Sequence, residues 1–320
     1  MPINSAVIRN ILVVRNDRFG EFILNIPALR ALKETFPDAR IIAVVDSYVK
    51  ILAEKVPFID EIIEWGRQKH SFWQKIRLAG DLRKRRIDLA VMLNPSREFN
   101  FITWAAGIPA RVGYDRKCGF LLNYKIPDKK HLGLVHEVKS NLELVGLVGA
   151  KTDDKSLCLK IEGRSHLAPN EGNLVAVHPW TSDPLKQWPY EYFVELTTRL
   201  IRELNVKVAI VGGQEEIDKS RELFKQEKDN LINLTGKTNL LELASFLRMC
   251  KLLISGDSGP VHLAACVNTP TLVIFRSAIP GKNAKRWGPW GQGHTVIEKE
   301  RLRDITVKEV FDKVKERLQR

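Results

Sequence analysis

Four short segments set polar and charged side chains directly after an apolar, strand-like run, where a ligand can reach them. The most informative is Gly256-Asp257-Ser258-Gly259-Pro260-Val261-His262, which follows the apolar run 252–255 and opens a helix. Pro260 suits a first helical turn. The backbone N–H groups of that turn, together with the helix dipole, attract anions. Ser258 adds a hydroxyl donor, and His262 can reach back from one turn inside the helix. The alternative is plain capping, with Ser258 closing the helix and His262 half buried.

The second segment, running from His178 to Pro189, also links a strand to a helix, and it sets Thr181, Ser182 and Lys186 where diphosphate oxygens can be gripped. Alternatively it is a surface loop with Trp180 and Trp188 packed down. The third, Gly212-Gly213-Gln214-Glu215-Glu216, has a glycine pair that permits close backbone approach by a ligand. Glu215 or Glu216 can then accept from ribose hydroxyls, or the acidic residues simply complement a helix dipole. The fourth, Arg15-Asn16-Asp17-Arg18-Phe19-Gly20-Glu21, places two carboxylates at the end of the first strand. Asp17 or Glu21 can deprotonate a hydroxyl there. Arg15, Arg111 and His136 are candidates to meet an anionic acceptor, with Arg116, Lys117 and His131 nearby in sequence.

These segments need strands to carry them, and the chain supplies strands alternating with helices. Strands are expected at 8–14, 40–45, 61–64 and 88–92, with helices at 22–35, 48–55, 72–85, 98–106 and 138–148. The second half repeats the alternation. Strands are expected at 174–178, 207–211, 231–234, 252–255 and 271–275, with helices at 190–203, 215–226, 240–250, 259–266 and 306–318. Such alternation implies α/β architecture with parallel sheets covered by helices. The polar stretch 162–173 divides it into two Rossmann-like domains, 1–165 and 166–305. A cleft between the domains, at the carboxyl ends of the strands, is then the expected ligand site.

Of the 320 residues, 44% are hydrophobic and 28% charged, which suits globular domains. No apolar run reaches the ~18 residues of a membrane span. The first ten residues lack a basic region followed by an apolar stretch, so no signal peptide is expected. The four cysteines form no CxxC pair, which argues against zinc or a disulfide framework and suits a cytoplasmic protein. The formal charge is +13, with 28 Lys+Arg against 19 Asp+Glu in residues 1–165. A basic first half favours an anionic partner. There is no Walker A, HExxH or GxSxG motif, and no GxGxxG after the first strand. No cofactor or metal is therefore expected.

Taken in order, Arg15-x-Asp17-x-x-Gly20-Glu21 with Pro27, Arg111-Val112-Gly113-Tyr114, Lys186-x-Trp188-Pro189, Gly212-Gly213-x-Glu215-Glu216 and Ser255-Gly256-Asp257-Ser258-Gly259-Pro260-x-His262-x-Ala264-Ala265 resemble glycosyltransferase family 9. This is the family of ADP-heptose:lipopolysaccharide heptosyltransferases, and the match spans almost the whole chain. The resemblance implies a GT-B fold with the acceptor on the first domain and the nucleotide-sugar donor on the second. It also implies that the last helix, 306–320, packs back on the first domain. Inverting, metal-independent transfer follows, with ADP-heptose as favoured donor and an anionic glycolipid of the lipopolysaccharide inner core as acceptor. Peripheral contact with the cytoplasmic face of the inner membrane goes with that acceptor.

By position, Ser258, Gly259 and Lys186 hold the diphosphate, assisted by Thr181 or Ser182. Glu215 or Glu216 binds the ribose, and Asp257 and His262 orient the donor. Glu21 stands where the family usually has the Asp that serves as general base, and it reaches about one methylene farther. Asp17 is the reserve. A nicotinamide-dependent oxidoreductase would need GxGxxG, which the first βα turn lacks. A nucleotide-sugar epimerase shares the double-Rossmann pattern and differs in reaction. A nucleic-acid binder would interleave basic residues with exposed aromatics, whereas the aromatics here are expected mostly on core faces.

Overall fold

The central strands of each half are apolar at consecutive positions, so both of their faces need cover. The computed structural model, which describes residues 8–169, 173–225 and 230–319, supplies that cover in two units. One ends at Lys160 and the other begins at Ile161, a few residues before the expected break.

The first unit runs β1 (Asn10–Val14), α1 (Phe19–Ile23), α2 (Ile26–Thr35), β2 (Arg40–Val45), α3 (Lys50–Ala53), β3 (Glu61–Glu64), α4 (Phe72–Lys84), β4 (Leu89–Met92), α5 (Arg97–Ala105), β5 (Ala110–Tyr114), β6 (Tyr124–Ile126) and α6 (Glu137–Gly146). Its sheet has the order β3-β2-β1-β4-β5-β6, and its strand pairs are parallel. Leu12, Val14, Ile42, Val44 and Met92 pack against Leu78 and Leu82 of α4 and Phe99 and Ile102 of α5. The helix expected at 22–35 is broken. The Asn25 amide donates to the carbonyls of Glu21 at 2.6 Å and Phe22 at 3.2 Å, and Pro27 lacks the N–H needed to continue the turn. Glu21 therefore sits on a separate short helix just beyond β1.

The second unit runs β7 (Leu174–His178), α7 (Tyr190–Leu204), β8 (Lys207–Ile210), α8 (Ile217–Leu223), β9 (Leu231–Asn233), α9 (Leu240–Leu247), β10 (Leu252–Gly256), α10 (Gly259–Cys266), β11 (Thr271–Arg276), α11 (Ala284–Trp287), β12 (Thr295–Lys299) and α12 (Val307–Leu318). Its parallel sheet is ordered β12-β11-β10-β7-β8-β9. Counted from its own first strand, this is the arrangement of the first sheet. Each is a Rossmann order, and its direction reverses between β1 and β4 in one unit and between β7 and β10 in the other. Ligands bind outside the carboxyl ends of the strands at that switch point.

The last helix is grouped with the second unit. α12 packs on α7 within the second unit, burying Val307, Val310, Phe311 and Val314, with the Arg199 guanidinium 4.1 Å from the centre of the Phe311 ring. Strands β5, β6 and β12 lack the apolar pattern that marks the others in the sequence. Arg111 and Gly113 interrupt β5, and β6 and β12 are half-exposed edges without a continuous apolar run. The helix expected at 215–226 begins as a 3-10 turn at Gln214–Glu216 and continues as α8. Its expected last residue, 226, lies outside the described residues.

Candidate active site

At the switch point of the second sheet, three side chains close a triangle. The Nδ1 of His178, the last residue of β7, lies 3.1 Å from Ser255 Oγ and 3.2 Å from Ser258 Oγ, and the two hydroxyls are 2.8 Å apart. Ser255 Oγ also donates to the His178 carbonyl at 3.1 Å. Burial pushes the His178 pKa down to about 4, so the imidazole is neutral at pH 7. Ser258 occupies the N-cap position of α10 but makes no side-chain cap bond, because its hydroxyl is turned to His178 and Ser255. Plain capping therefore does not explain this serine. Pro260 has no N–H and the Val261 N–H already donates to the Ser258 carbonyl at 3.2 Å, so the Gly259 N–H, with the helix dipole, is what remains of the anion-attracting end expected from the sequence. His262, one turn inside α10, is buried rather than half buried.

Lys186 reaches the same place from the loop after β7. Its Nζ lies 2.5 Å from Asp257 Oδ2, and both side chains are largely buried. Two residues on, Trp188 is fully buried. It donates to the Ile305 carbonyl at 2.9 Å and meets Tyr192 and Phe193 edge-on. The tryptophan thus anchors the loop that presents the lysine. Thr181 shapes that loop by accepting from the Asp183 N–H at 3.2 Å, while Ser182 is exposed.

The glycine pair after β8 has a different role from the one expected. A Cβ on Gly212 would sit 2.4 Å from the Trp180 indole nitrogen, which donates to Val211 O at 3.0 Å. Gly212 makes room for a tryptophan, not for a ligand. Glu216 accepts from the Gly213 N–H at 2.7 Å, and its pKa is raised by burial and then by Glu215. Glu215 is exposed and has no ion-pair partner among the described residues.

At the corresponding point of the first sheet, Arg15 is buried just beyond β1. It donates from Nε to Asp17 at 2.7 Å and from its terminal nitrogen to the Leu93 carbonyl at 3.1 Å and Glu137 at 3.2 Å. Lys130 donates to the same Glu137 oxygen at 2.6 Å, and Glu137 is itself buried at the start of α6. Two cations and two carboxylates thus neutralise one another. Arg15 orders these carboxylates. Glu21 is half-buried. Burial raises its pKa, Asp17 raises it further, and Arg15 opposes the shift. Among the described residues its carboxylate has no ion-pair partner.

Asp17 lines a cavity of about 520 Å³ together with Asn16, Asn94, Ser96, Arg97 and Lys117. Arg116 and His131 line a second one of about 450 Å³. Arg111 does not join either. It lies at the amino end of β5, and its guanidinium holds the carbonyls of Leu121, at 2.7 Å, and Ile108. It is scaffold, and so are its motif partners. A Cβ on Gly113 would collide with Leu122, and the Tyr114 hydroxyl donates to Ser140 O at 3.1 Å. His136 caps α6 through Nδ1, which accepts from the Val138 N–H at 3.2 Å.

A family model described as glycosyltransferase family 9 (heptosyltransferase) matches residues 75–314. The chain belongs to glycosyltransferase family 9. It is 24% identical over 293 residues to lipopolysaccharide heptosyltransferase 2 of Escherichia coli K12, covering 84% of this chain and 83% of that protein. The glycosyl transferase family 9 structure from Veillonella parvula superposes with a TM-score of 0.85 at 21% identity, covering 97% of both chains. The E. coli ADP-heptose lps heptosyltransferase II structure gives 0.84 at 22% identity, covering 97% of this chain and 98% of that one. The two Rossmann-like units are thus those of a GT-B glycosyltransferase.

Within this family 9 fold, the chain brings Lys186, Asp257, Ser258, Gly259 and His262 to one switch point and Asp17 and Glu21 to the other. It does not bring in Arg111. His178 and Ser255 join Ser258 in the triangle without standing out in the sequence as ligand-binding residues. Their positions, the end of β7 and its register partner on β10, hold the signal. Glu137 gives no sequence signal because it meets Arg15, 122 residues away along the chain, and Lys130 enters the site through that same carboxylate.

Proposed function

We propose that this family 9 glycosyltransferase moves a heptosyl group from ADP-heptose to a hydroxyl of a lipopolysaccharide inner-core acceptor, with inversion and without a metal. The observation that carries the reading is the amino end of α10, uncapped by Ser258 and flanked by Lys186. The relatives named above, a lipopolysaccharide heptosyltransferase and an ADP-heptose heptosyltransferase, support the donor and the acceptor.

The step is a single displacement. The acceptor oxygen bonds to the anomeric carbon as the bond from that carbon to the diphosphate breaks, and the proton passes to Glu21. Negative charge develops on the departing ADP. The Gly259 N–H, the dipole of α10 and the Lys186 ammonium neutralise it in place, which is the service a divalent cation would otherwise give. Ser258 and Gly259 lie against the diphosphate, Asp257 and His262 orient the donor, and Glu215 accepts from the ribose while Glu216 holds Gly213. Glu21 suits the base because its raised pKa strengthens it as an acceptor of protons once ionised.

A glycolipid acceptor brings the reaction to a membrane surface, and we place it at the cytoplasmic face of the inner membrane. Among the described residues no helix is long and apolar enough to cross a bilayer. A thermal-shift panel of ADP-, UDP- and GDP-sugars tests the donor. ADP-heptose at 100 times its Kd stabilises by ~2.7 kcal/mol, and stabilisation by UDP- or GDP-sugars alone would refute it. A sugar recovered as its epimer, with no transfer, would instead indicate an epimerase.

A further inference from the structure

The aromatic residues expected on core faces do not all lie there. Trp73 and Phe120 are each 76% exposed, Phe72 59% and Trp104 51%. Phe72, Trp73 and Trp104 form, with Phe101, a continuous ridge over α4 and α5, and Phe120 is on the turn that follows β5. Ring centroids are 5.7 Å apart for Phe72 and Trp73, 6.2 Å for Phe72 and Phe101, and 6.1 Å for Phe101 and Trp104. Arg97, Phe101 and Trp104 follow the spacing of one helix face. The Asn100 amide donates to the carbonyls of Arg116 at 3.4 Å and Lys117 at 3.0 Å, which ties the segment leading to Phe120 to α5.

Exposed bases surround this ridge. Lys69, Arg77, Arg97 and Lys117 are all exposed, and none has a carboxylate partner among the described residues. The neighbouring acids are already engaged, Glu98 with Lys75 at 3.5 Å and Asp115 with Lys125 at 3.1 Å. Large rings ringed by unpaired cations match an anionic bilayer, whose interface takes Trp and Phe at the headgroup boundary and whose phosphates take Lys and Arg. A second copy of the chain would bring these like charges together, which opposes self-association. In a nucleic-acid site the bases would be interleaved with the rings, whereas here they flank a ridge in which the rings touch one another.

We infer that the outer face of α4 and α5, with Phe120, is the surface by which this enzyme lies on an anionic lipid bilayer. The inference rests on the glycolipid reading of the acceptor and adds the place where the lipid is met. Arg97 and Lys117 belong both to the rim of this ridge and to the lining of the 520 Å³ cavity beside Asp17. A glycan rising from the bilayer at the ridge therefore meets the cavity directly.

Vesicle sedimentation tests it, comparing phosphatidylglycerol-containing vesicles with pure phosphatidylcholine. The wild-type chain partitions at least ~10-fold more strongly onto the anionic vesicles, and the preference weakens as salt is raised. A Trp73→Ser, Phe120→Ser double variant and Arg77→Glu each lose most of that binding. The double variant still turns over ADP-heptose with a soluble, delipidated inner-core oligosaccharide at the wild-type rate. Independently of any variant, tryptophan emission of the wild-type chain is quenched by lipids brominated near the headgroup. Absence of anionic preference, binding unchanged in the double variant, or a dimer that the double variant dissolves would each overturn the surface. Wild-type vesicle binding and quenching without turnover of ADP-heptose would leave the surface standing and refute the transfer reading.

Discussion

The Nε of Arg15 lies 2.7 Å from Oδ1 of Asp17, and this ion pair separates the roles of the two carboxylates at the end of β1. Asp17 has its Oδ1 taken up by a buried guanidinium. Glu21, on the short helix that follows, has its pKa raised by burial and then by Asp17. Glu21→Gln should lower kcat by ~10²–10⁴-fold and leave ADP-heptose binding intact, while Asp17→Asn loses less. A Glu21→Gln enzyme within a factor of two of wild type, measured by ADP release, would remove Glu21 from the chemistry.

The raised Glu21 pKa also fixes the sign of two pH effects. The base works when ionised, so kcat/KM falls as pH drops through its pKa, and does so at a higher pH than for an ordinary glutamate. Because the folded pKa lies above the unfolded one, ionised Glu21 costs stability at neutral pH. Glu21→Gln should therefore raise Tm at pH 7, with the gain vanishing as pH falls below the unfolded value. Calorimetry across that range checks the sign, and a lower Tm at pH 7 would contradict it.

Lys186 offers a charge-assisted contact, worth roughly 1.5–3 kcal/mol. Lys186→Ala should thus weaken ADP binding by roughly 10–100-fold in calorimetric titration, and it also lowers the ligand-free Tm because it takes the cation from the largely buried Asp257 carboxylate. Trp188→Ala differs in kind. It empties a fully buried ring position and should cost ~3–5 kcal/mol of folding stability. Unchanged ADP affinity in Lys186→Ala would count against its phosphate role.

Buried His178 has its pKa lowered from 6.5 to about 4. The unfolded chain takes up a proton there before the folded one does, so stability is full above pH 6.5 and is lost as pH falls toward 4. The loss from this group is on the order of 3 kcal/mol across the window. In His178→Asn that part of the acid sensitivity disappears. Urea midpoints at pH 7 and pH 5 for both chains measure it, and an unchanged difference would place the sensitivity elsewhere.

Glu137 accepts from both Arg15 and Lys130 with its side chain 1% exposed. Glu137→Gln leaves two buried cations with one carboxylate between them. It should destabilise by ~3–5 kcal/mol and loosen Asp17 with it. A loss under about 1 kcal/mol by denaturant titration would show the cluster relaxing around the change.

Much of this was legible in the sequence, because consecutive apolar residues followed by Gly, Ser or Asp mark both the strand and the end where ligands bind. Lys186, Asp257 and Ser258 are close to one another for that reason. What the sequence hid depended on distance along the chain. Gly212 reads as a ligand-facing glycine until Trp180 is seen lying on it, and Arg111 reads as an acceptor contact until β5 places it at the far end of its sheet. Amphipathic spacing on α4 and α5 marks a core face but does not say that the aromatic rings at 72, 73 and 104 lie outside it.

The most direct test of the proposed transfer is mass spectrometry and NMR of an inner-core acceptor incubated with ADP-heptose and the wild-type chain in EDTA, beside Glu21→Gln. The expected result is one added heptosyl residue, its anomeric configuration opposite to that of the donor, formed without added metal and suppressed ~10²–10⁴-fold in Glu21→Gln. An unmodified acceptor, a product that retains the donor configuration, or equal yields from the two enzymes would contradict it.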